Sequence, residues 1–332
     1  MAPAYCNQTG YLHTADFQRL VLHVISFISI PIHVFGVFCV FFKTPISMQS
    51  VKWSMMNVHL FSCLLDLGLS FLTTPFVFFP LMAGYPLGFL EYLGVETEPQ
   101  VYMIIFMGAY LLVAISIVFE NRLFVLVMTN KNLHRYATPI YLIHYIIPLI
   151  VIPTVIKIPD QEEGKKNFIN LFECVPPYVE LKNVFYLILV KKFFLISCGI
   201  FIMVLFLEVW FLAYMTDRKL KQQMTKTMSQ KTVDLHRKFQ RAFILQLLIP
   251  FLIVFVPLGY IGFTAIFDYH NQFFNNLTLI IISSHGFFST IAMVALHAPY
   301  REYTLKLFPF FKRLSSSPTN LTAPQSVMVT NM

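Results

Sequence analysis

Glu120, Asn121 and Arg122 stand together inside ISIVFENRLFVLVM, an apolar run that resumes after them and continues to Met128. Neighbours one or two positions apart on a helix do not face each other, so the acid and the base point to different sides. The chemistry on offer is electrostatic, with a separate partner for each charge. Three further polar groups keep equally apolar company: Asp66 in HLFSCLLDLGLS, Glu208 in LFLEVWFL and His285 in SSHGFFS. Such groups at bilayer depth are costly, and each is a functional candidate. Asp66 reads either as a cation- or water-binding switch facing Ser or Asn on neighbouring segments, or as a hydrogen-bonded packing residue. His285 reads as a cavity-lining group or as a satisfied packing residue. Glu208 has no partner that the sequence identifies. No HExxH, paired CxxC, nucleophile elbow or P-loop is present, so we expect no catalysis, no cofactor and no metal site.

The segments that must position these groups follow from composition. Of 332 residues, 57% are hydrophobic and only 12% charged, with 36 Phe and a mean hydropathy of +0.68. Soluble domains carry about a quarter charged residues. Apolar runs long enough to cross a hydrocarbon core of about 30 Å recur seven times: 20–42, 54–81, 101–128, 139–158, 186–215, 243–267 and 277–296. They are apolar nearly all round, which excludes the alternating strands of a membrane barrel. The expected fold is therefore an all-α membrane protein, a seven-helix bundle. It has a tail over 1–19, a membrane domain over 20–298 and a largely disordered tail over 299–332. The first run lacks a basic segment and a small-residue cleavage site before it, so it reads as a retained span.

Lys and Arg in the connections set the expected orientation. The 43–53 loop holds Lys43 and Lys52; the end of the third span and the loop after it hold Arg122, Lys131 and Arg135. The 216–241 loop holds Arg218, Lys219, Lys221, Lys226, Lys231, Arg237, Lys238 and Arg241, and the tail adds Arg301, Lys306, Lys312 and Arg313. The 83–100 and 268–276 connections hold none, and six basic residues between spans four and five are mixed with acids. The N-terminus is expected outside and the C-terminus in the cytosol. The net charge of +8 is then a topology signal that attracts anionic lipid, not nucleic acid. The 19 residues from 101 to 119 cover roughly 28 Å, so the charged triplet arrives where the membrane ends. The apolar continuation to Met128 implies burial against neighbouring spans.

Smaller signals agree. Asn7-Gln8-Thr9 is an outer glycosylation sequon, whereas Asn276-Leu277-Thr278 lies too close to the seventh span for confident use. Cys39, Cys63 and Cys198 lie within spans and are expected reduced; only Cys6 and Cys174 fall in outer, oxidising segments. Those two form a disulfide or remain unpaired thiols, and the sequence leaves both readings open. Pro31, Pro75, Pro80, Pro148, Pro153, Pro250 and Pro257 fall within or at the ends of spans, where each favours a kink. Pro250 and Pro257 bracket PFLIVFVP in span six, just beyond the basic loop, and are the expected pivot for a swing of its cytosolic end.

Seven spans, an outer N-terminus and this triplet resemble a G-protein-coupled receptor, although Asn121 separates the acid from the base and the seventh span ends in HAPYR. The stretch PIHVFGVFCVFFKTPISMQSVKWSMMNVHLFSCLLDL, with AGYPLG, FENR and QLLIPFLIVFVPLGY, is similar to serpentine receptor class H, a family of nematode seven-transmembrane chemoreceptors. The resemblance implies a receptor for small environmental chemicals at the plasma membrane, in the sensory-neuron cilium, coupled to a heterotrimeric G protein. On that reading Glu120, Asn121, Arg122, Asp66, Arg218, Lys219, Lys221, Arg237, Lys238, Pro250 and Pro257 serve coupling and switching. Aromatic or polar groups at outer depth, Tyr102, Phe106, Tyr110, Lys191, Lys192 and His285, are the candidate ligand pocket; Lys191 and Lys192 would there attract an anionic ligand, although interfacial snorkelling is the favoured reading of both. The partners are a small molecule, a G protein and the bilayer, with homo- or hetero-oligomerisation left open. The rival reading is a seven-span ligand-gated channel or transporter, against which stand the basic asymmetry and the lack of a charged pore stripe or broken half-helices.

Overall fold

The computed structural model describes residues 10–127, 134–171, 179–188, 191–224 and 230–307. Cys6, Asn7 and Cys174 lie outside them. The chain is a bundle of long apolar helices: α1 (Ala15–Phe42) and α2 (Gln49–Leu67), then strands β1 (Pro75–Phe78) and β2 (Ala83–Pro86). A short α3 (Phe89–Tyr92) leads to α4 (Thr97–Val127), α5 (His134–Val155), α6 (Gln161–Leu171) and strand β3 (Phe185–Tyr186). The remainder is α7 (Lys191–Met224), α8 (Gln230–Phe267), α9 (Gln272–Ser283), α10 (His285–Leu296) and α11 (Ala298–Leu307). Among the described residues, six segments are long and apolar enough to span a membrane, and the apolar Leu252–Phe267 part of α8 adds a seventh, shorter one; α9 and α10 together make one of the six. Large apolar side chains such as Phe27, Ile196, Trp210 and Ile266 stand exposed around the bundle. In water such a belt would drive aggregation; in a bilayer it is the lipid-facing surface.

The second apolar run does not stay helical to residue 81. Beyond α2 the helix widens into a π turn, Gly68–Leu72, closed by Thr73 N–H donating to the Gly68 carbonyl at 2.9 Å. The chain then leaves the helix and pairs β1 with β2 antiparallel, Phe76 opposite Tyr85, and β2 with β3. Pro75 and Pro80 explain the departure, since neither has an N–H for a helical ladder. They do not kink a span; they belong to a hairpin. Gly84 lets the strands close: a Cβ there would lie 2.4 Å from the Phe76 carbonyl oxygen. Phe76, Phe78, Tyr85, Phe168 and Tyr186 form a small core between the sheet and α6. The start of α9 holds the hairpin in place, with Gln272 Nε2 donating to the Val77 carbonyl (3.1 Å) and His270 Nδ1 to that of Phe79 (2.7 Å). Burial keeps the His270 imidazole below its ordinary pKa, and so neutral.

The helices meet at two ends, which we name the sheet end and the basic end. At the basic end α11 turns under the bundle and buries Tyr300 fully. Its hydroxyl lies 2.7 Å from Thr44 Oγ1 in the KTP loop, and Lys43 Nζ sits 4.2 Å from the Tyr303 ring centroid. The tail expected to be largely disordered from 299 thus begins as a helix, stabilised by a buried aromatic anchor. Asn276, in the second sequon, is buried and donates from Nδ2 to the Leu12 carbonyl at 2.9 Å.

Replacing Gly84 with Val forces its Cβ into the opposite strand, and we expect a loss of roughly 1–3 kcal/mol. Thermal unfolding of the purified protein in detergent should show the lower midpoint; an unchanged midpoint would show that the hairpin contributes little to stability.

Candidate functional site

Span seven is broken at Ser284, between α9 and α10. The break leaves the first N–H groups of α10 without helical acceptors, in a region with no water to take them. Ser284 makes no side-chain cap. Asp66 supplies one from α2: its carboxylate accepts from Gly286 N–H (3.0 Å) and Phe287 N–H (2.8 Å). These are the N2 and N3 positions that a capping side chain serves, and a negative charge there is favoured by the helix dipole. Gly286 makes the approach feasible, because a Cβ at 286 would lie 2.6 Å from Asp66 Oδ2.

Two imidazoles complete the shell around the fully buried Asp66. His285 Nδ1 lies 2.8 Å from Oδ1. His33 Nε2 on α1 lies 3.3 Å from Oδ2, while its Nδ1 reaches Thr290 Oγ1 on α10 at 3.0 Å. His59 Nε2 donates to the His33 carbonyl at 3.1 Å. The partners expected for Asp66 were Ser or Asn; those present are two histidines and two backbone amides. Three helices, α1, α2 and α10, thus meet at one carboxylate, and His285 belongs to this network.

The charged triplet points three ways. Glu120 is buried against α5, its Oε1 3.8 Å from His144 Nδ1. His144 Nε2 in turn lies 3.1 Å from Glu208 Oε1 on α7, which gives Glu208 the partner that the sequence did not show. Asn121 Nδ2 donates to the Ser50 carbonyl at 2.9 Å. Arg122 lines a crevice of about 250 Å³ at the basic end with Ser50, Val125, Lys238, His297 and Pro299. Burial and the nearby Arg122 charge hold His297 down at about 4, so it is neutral beside the guanidinium.

The other candidates distribute as follows. Tyr102, Phe106 and Tyr110 stack along one face of α4, with ring centroids 6.4 and 6.0 Å apart, and Tyr110 continues to Tyr145 on α5 at 5.7 Å. Asn57 on α2 donates from Nδ2 to the Tyr145 hydroxyl. Beside this stripe lies an apolar cavity of about 180 Å³ between α4, α5 and α7, lined among others by Gly108, Leu112, Ile152, Cys198 and Phe201. Lys192 is exposed at the start of α7, and the Lys191 side chain lies outside the described set. Arg218 packs on Tyr214, its guanidinium carbon 5.1 Å from the ring centroid, and Lys221 pairs with Asp217 at 2.6 Å, both exposed on the α7 extension. Lys219 lies on the same extension; Arg237 and Lys238 lie on the first turns of α8. That helix runs on through Pro250 and the buried Pro257. Cys39, Cys63 and Cys198 are free thiols. The histidines at 33, 59 and 144 escaped the sequence reading. Their signal was the one used for Asp66, an ionisable group at bilayer depth.

The family model "Serpentine type 7TM GPCR chemoreceptor Srh" matches residues 13–310. The chain belongs to this family. Serpentine receptor class H-72 of Caenorhabditis elegans is 24% identical over 303 residues, covering 90% of this chain and 87% of that protein. The crystal structure of squid rhodopsin superposes with a TM-score of 0.54 over 98% of this chain and 97% of that one. At 8% identity that likeness concerns the fold alone. This Srh protein is a multi-pass, rhodopsin-like seven-helix protein of a receptor family, not of an enzyme family.

Replacing Asp66 with Ala strands two amide donors and two imidazoles in the core. Breaking a buried pair in this way costs about 3–5 kcal/mol, so we expect poor folding and a strongly lowered melting midpoint. Asp66→Asn keeps one acceptor and should fall between; a wild-type midpoint for Asp66→Ala would exclude the capping role.

Proposed function

We propose that this Srh protein is a chemosensory receptor at the plasma membrane that binds a small environmental chemical inside the bundle and activates a heterotrimeric G protein. In this reading the basic end faces the cytosol and the N-terminus lies outside. The observation that carries it is the crevice at the basic end, where Arg122 of α4, Lys238 of α8 and His297 beyond α10 converge around about 250 Å³. Three spans border a small basic mouth, and an outward movement of α8 would widen it enough to admit a segment of a partner. Glu120 and Asn121 fix the rotation of α4 that presents Arg122 to this mouth.

On the ligand side, the Tyr102–Phe106–Tyr110 stripe and the neighbouring cavity between α4, α5 and α7 offer an apolar, aromatic-rich site for a compound of small volume. Asp66 and His285 act as the switch element: the strength of their bond decides whether α10 keeps its cap. A ligand can drive the change only through its different affinity for the two packings.

Arg122→Ala is expected to abolish G-protein activation while leaving surface expression intact, measured by nucleotide exchange and surface labelling on the same cells. Normal activation by the variant would remove Arg122 from coupling. Tags before Ala2 and after Met332 test the orientation, with only the first expected to be accessible in intact cells. Accessibility of the second alone would bring the channel reading forward.

A further inference from the structure

Glu120, His144 and Glu208 come from α4, α5 and α7, and one donor atom from each lies within 4.8 Å of the others. The hydrogen bonding of His144 orients its lone pair. Nδ1 lies 3.0 Å from the Ile140 carbonyl one turn earlier, an acceptor, so Nδ1 carries a proton. In the neutral ring Nε2 is then an acceptor as well, and it faces Glu208 Oε1, another acceptor, at 3.1 Å. Two lone pairs at this distance repel unless a proton or a metal cation lies between them: a second proton on the ring, a proton on the Glu208 carboxyl, or a metal cation.

Three observations favour the metal. Ligand atoms at about 2.0–2.2 Å from a tetrahedral Zn2+ lie roughly 3.3–3.6 Å apart, close to the 3.1 Å between His144 Nε2 and Glu208 Oε1, and the Glu120 oxygen lies within 4.8 Å of both groups. A histidine whose other ring nitrogen is held by a backbone carbonyl is the usual arrangement for a metal ligand. Two carboxylates face one imidazole, and a divalent ion can balance both of them when ionised, whereas an imidazolium balances one. Glu120 Oε2 is also buried with no hydrogen-bond partner, while the His144 and Glu208 side chains are partly exposed.

We propose that Glu120, His144 and Glu208 form a site for a divalent transition-metal ion of the zinc type, bound through one imidazole nitrogen and two carboxylates. Such an ion clips α4, α5 and α7 together near the basic end. If the chain signals as proposed above, the clip opposes movement of α7 against α4 and acts as a brake. The other trio with metal-ligating atoms, His33, His59 and Cys63, is a weaker candidate. It is buried, and three of its four ring nitrogens are already engaged by Thr290, Asp66 and the His33 carbonyl.

The test uses the full-length protein in lipid nanodiscs, stripped with chelator, so that it does not depend on signalling. Zn2+ well above its Kd should raise the melting midpoint by roughly 3–8 °C, and Glu208→Gln should remove the rise. Co2+ should give the visible spectrum of nitrogen and oxygen ligands without a thiolate charge-transfer band. If Glu208→Gln fails to fold, Cu2+ paramagnetic resonance on the wild-type chain should report one coordinated imidazole. Three results overturn the proposal: no midpoint shift in the wild type, an equal shift in Glu208→Gln, or a thiolate band or two imidazoles, which would place the ion on His33, His59 and Cys63.

Discussion

Inside a hydrocarbon core a backbone amide has no water to fall back on, and a broken helix exposes such amides. The break at Ser284 therefore fixes much of the bundle. Only an acceptor from another helix can satisfy Gly286 and Phe287, and Asp66 does so while binding His33 and His285. The cap orders the interior as well as one helix end. It sets the register of α2 against α10, and His33 brings α1 into the same network. The opposite end of α10 has the complementary arrangement, with Arg301 Nη1 donating to the Ala295 carbonyl at 3.1 Å. A twelve-residue helix with an acid at its first turn and a base beyond its last is held by both poles of its dipole.

The charged triplet follows the same rule with another geometry. Successive residues on a helix turn by about 100°, so three in a row sample most of its circumference. Glu120 meets α5, Asn121 meets the chain ahead of α2, and Arg122 meets the crevice below α10. The apolar residues after the triplet belong to a helix that is still enclosed by neighbours; Leu126 is almost fully buried. An isolated arginine at a membrane edge would need none of this. An acid, an amide and a base in series fix the rotation of α4 against three neighbours at once.

The helical architecture was legible because its signal is long-range and redundant: an apolar run of twenty residues tolerates any single exception. The hairpin after α2 was not, since an apolar stretch such as TPFVFFPLMAG has no periodicity to separate a buried strand from a buried helix. Its prolines were visible, and they read as kinks because membrane helices tolerate proline. Asp66 was legible as an anomaly, but its partners lie 33 and 219 or more residues away in sequence, and no local spacing encodes them. The same holds for His144 and Glu208, 64 positions apart. Polar residues in spans declare that they need partners; only the packing says which.

Two polar networks tie the bundle: the one around Asp66 joins α1, α2 and α10, and the one around His144 joins α4, α5 and α7. Asn57 on α2 and Tyr145 on α5 link the two sets. The sixth span, α8, packs against α10 and α7, one helix from each set. Its polar anchorage lies toward the sheet end, where the Tyr260 hydroxyl donates to the Asn271 carbonyl at 3.2 Å and lies 2.9 Å from the Asn275 amide. Pro250 and Pro257 stand on the far side of that anchor, between it and Lys238 at the crevice. A proline removes one rung of the helical ladder, so bending there is cheaper than elsewhere along the helix. In the receptor reading proposed above, a bend at either proline would swing the Lys238 end across Arg122 while the Tyr260 bonds keep the sheet end in place.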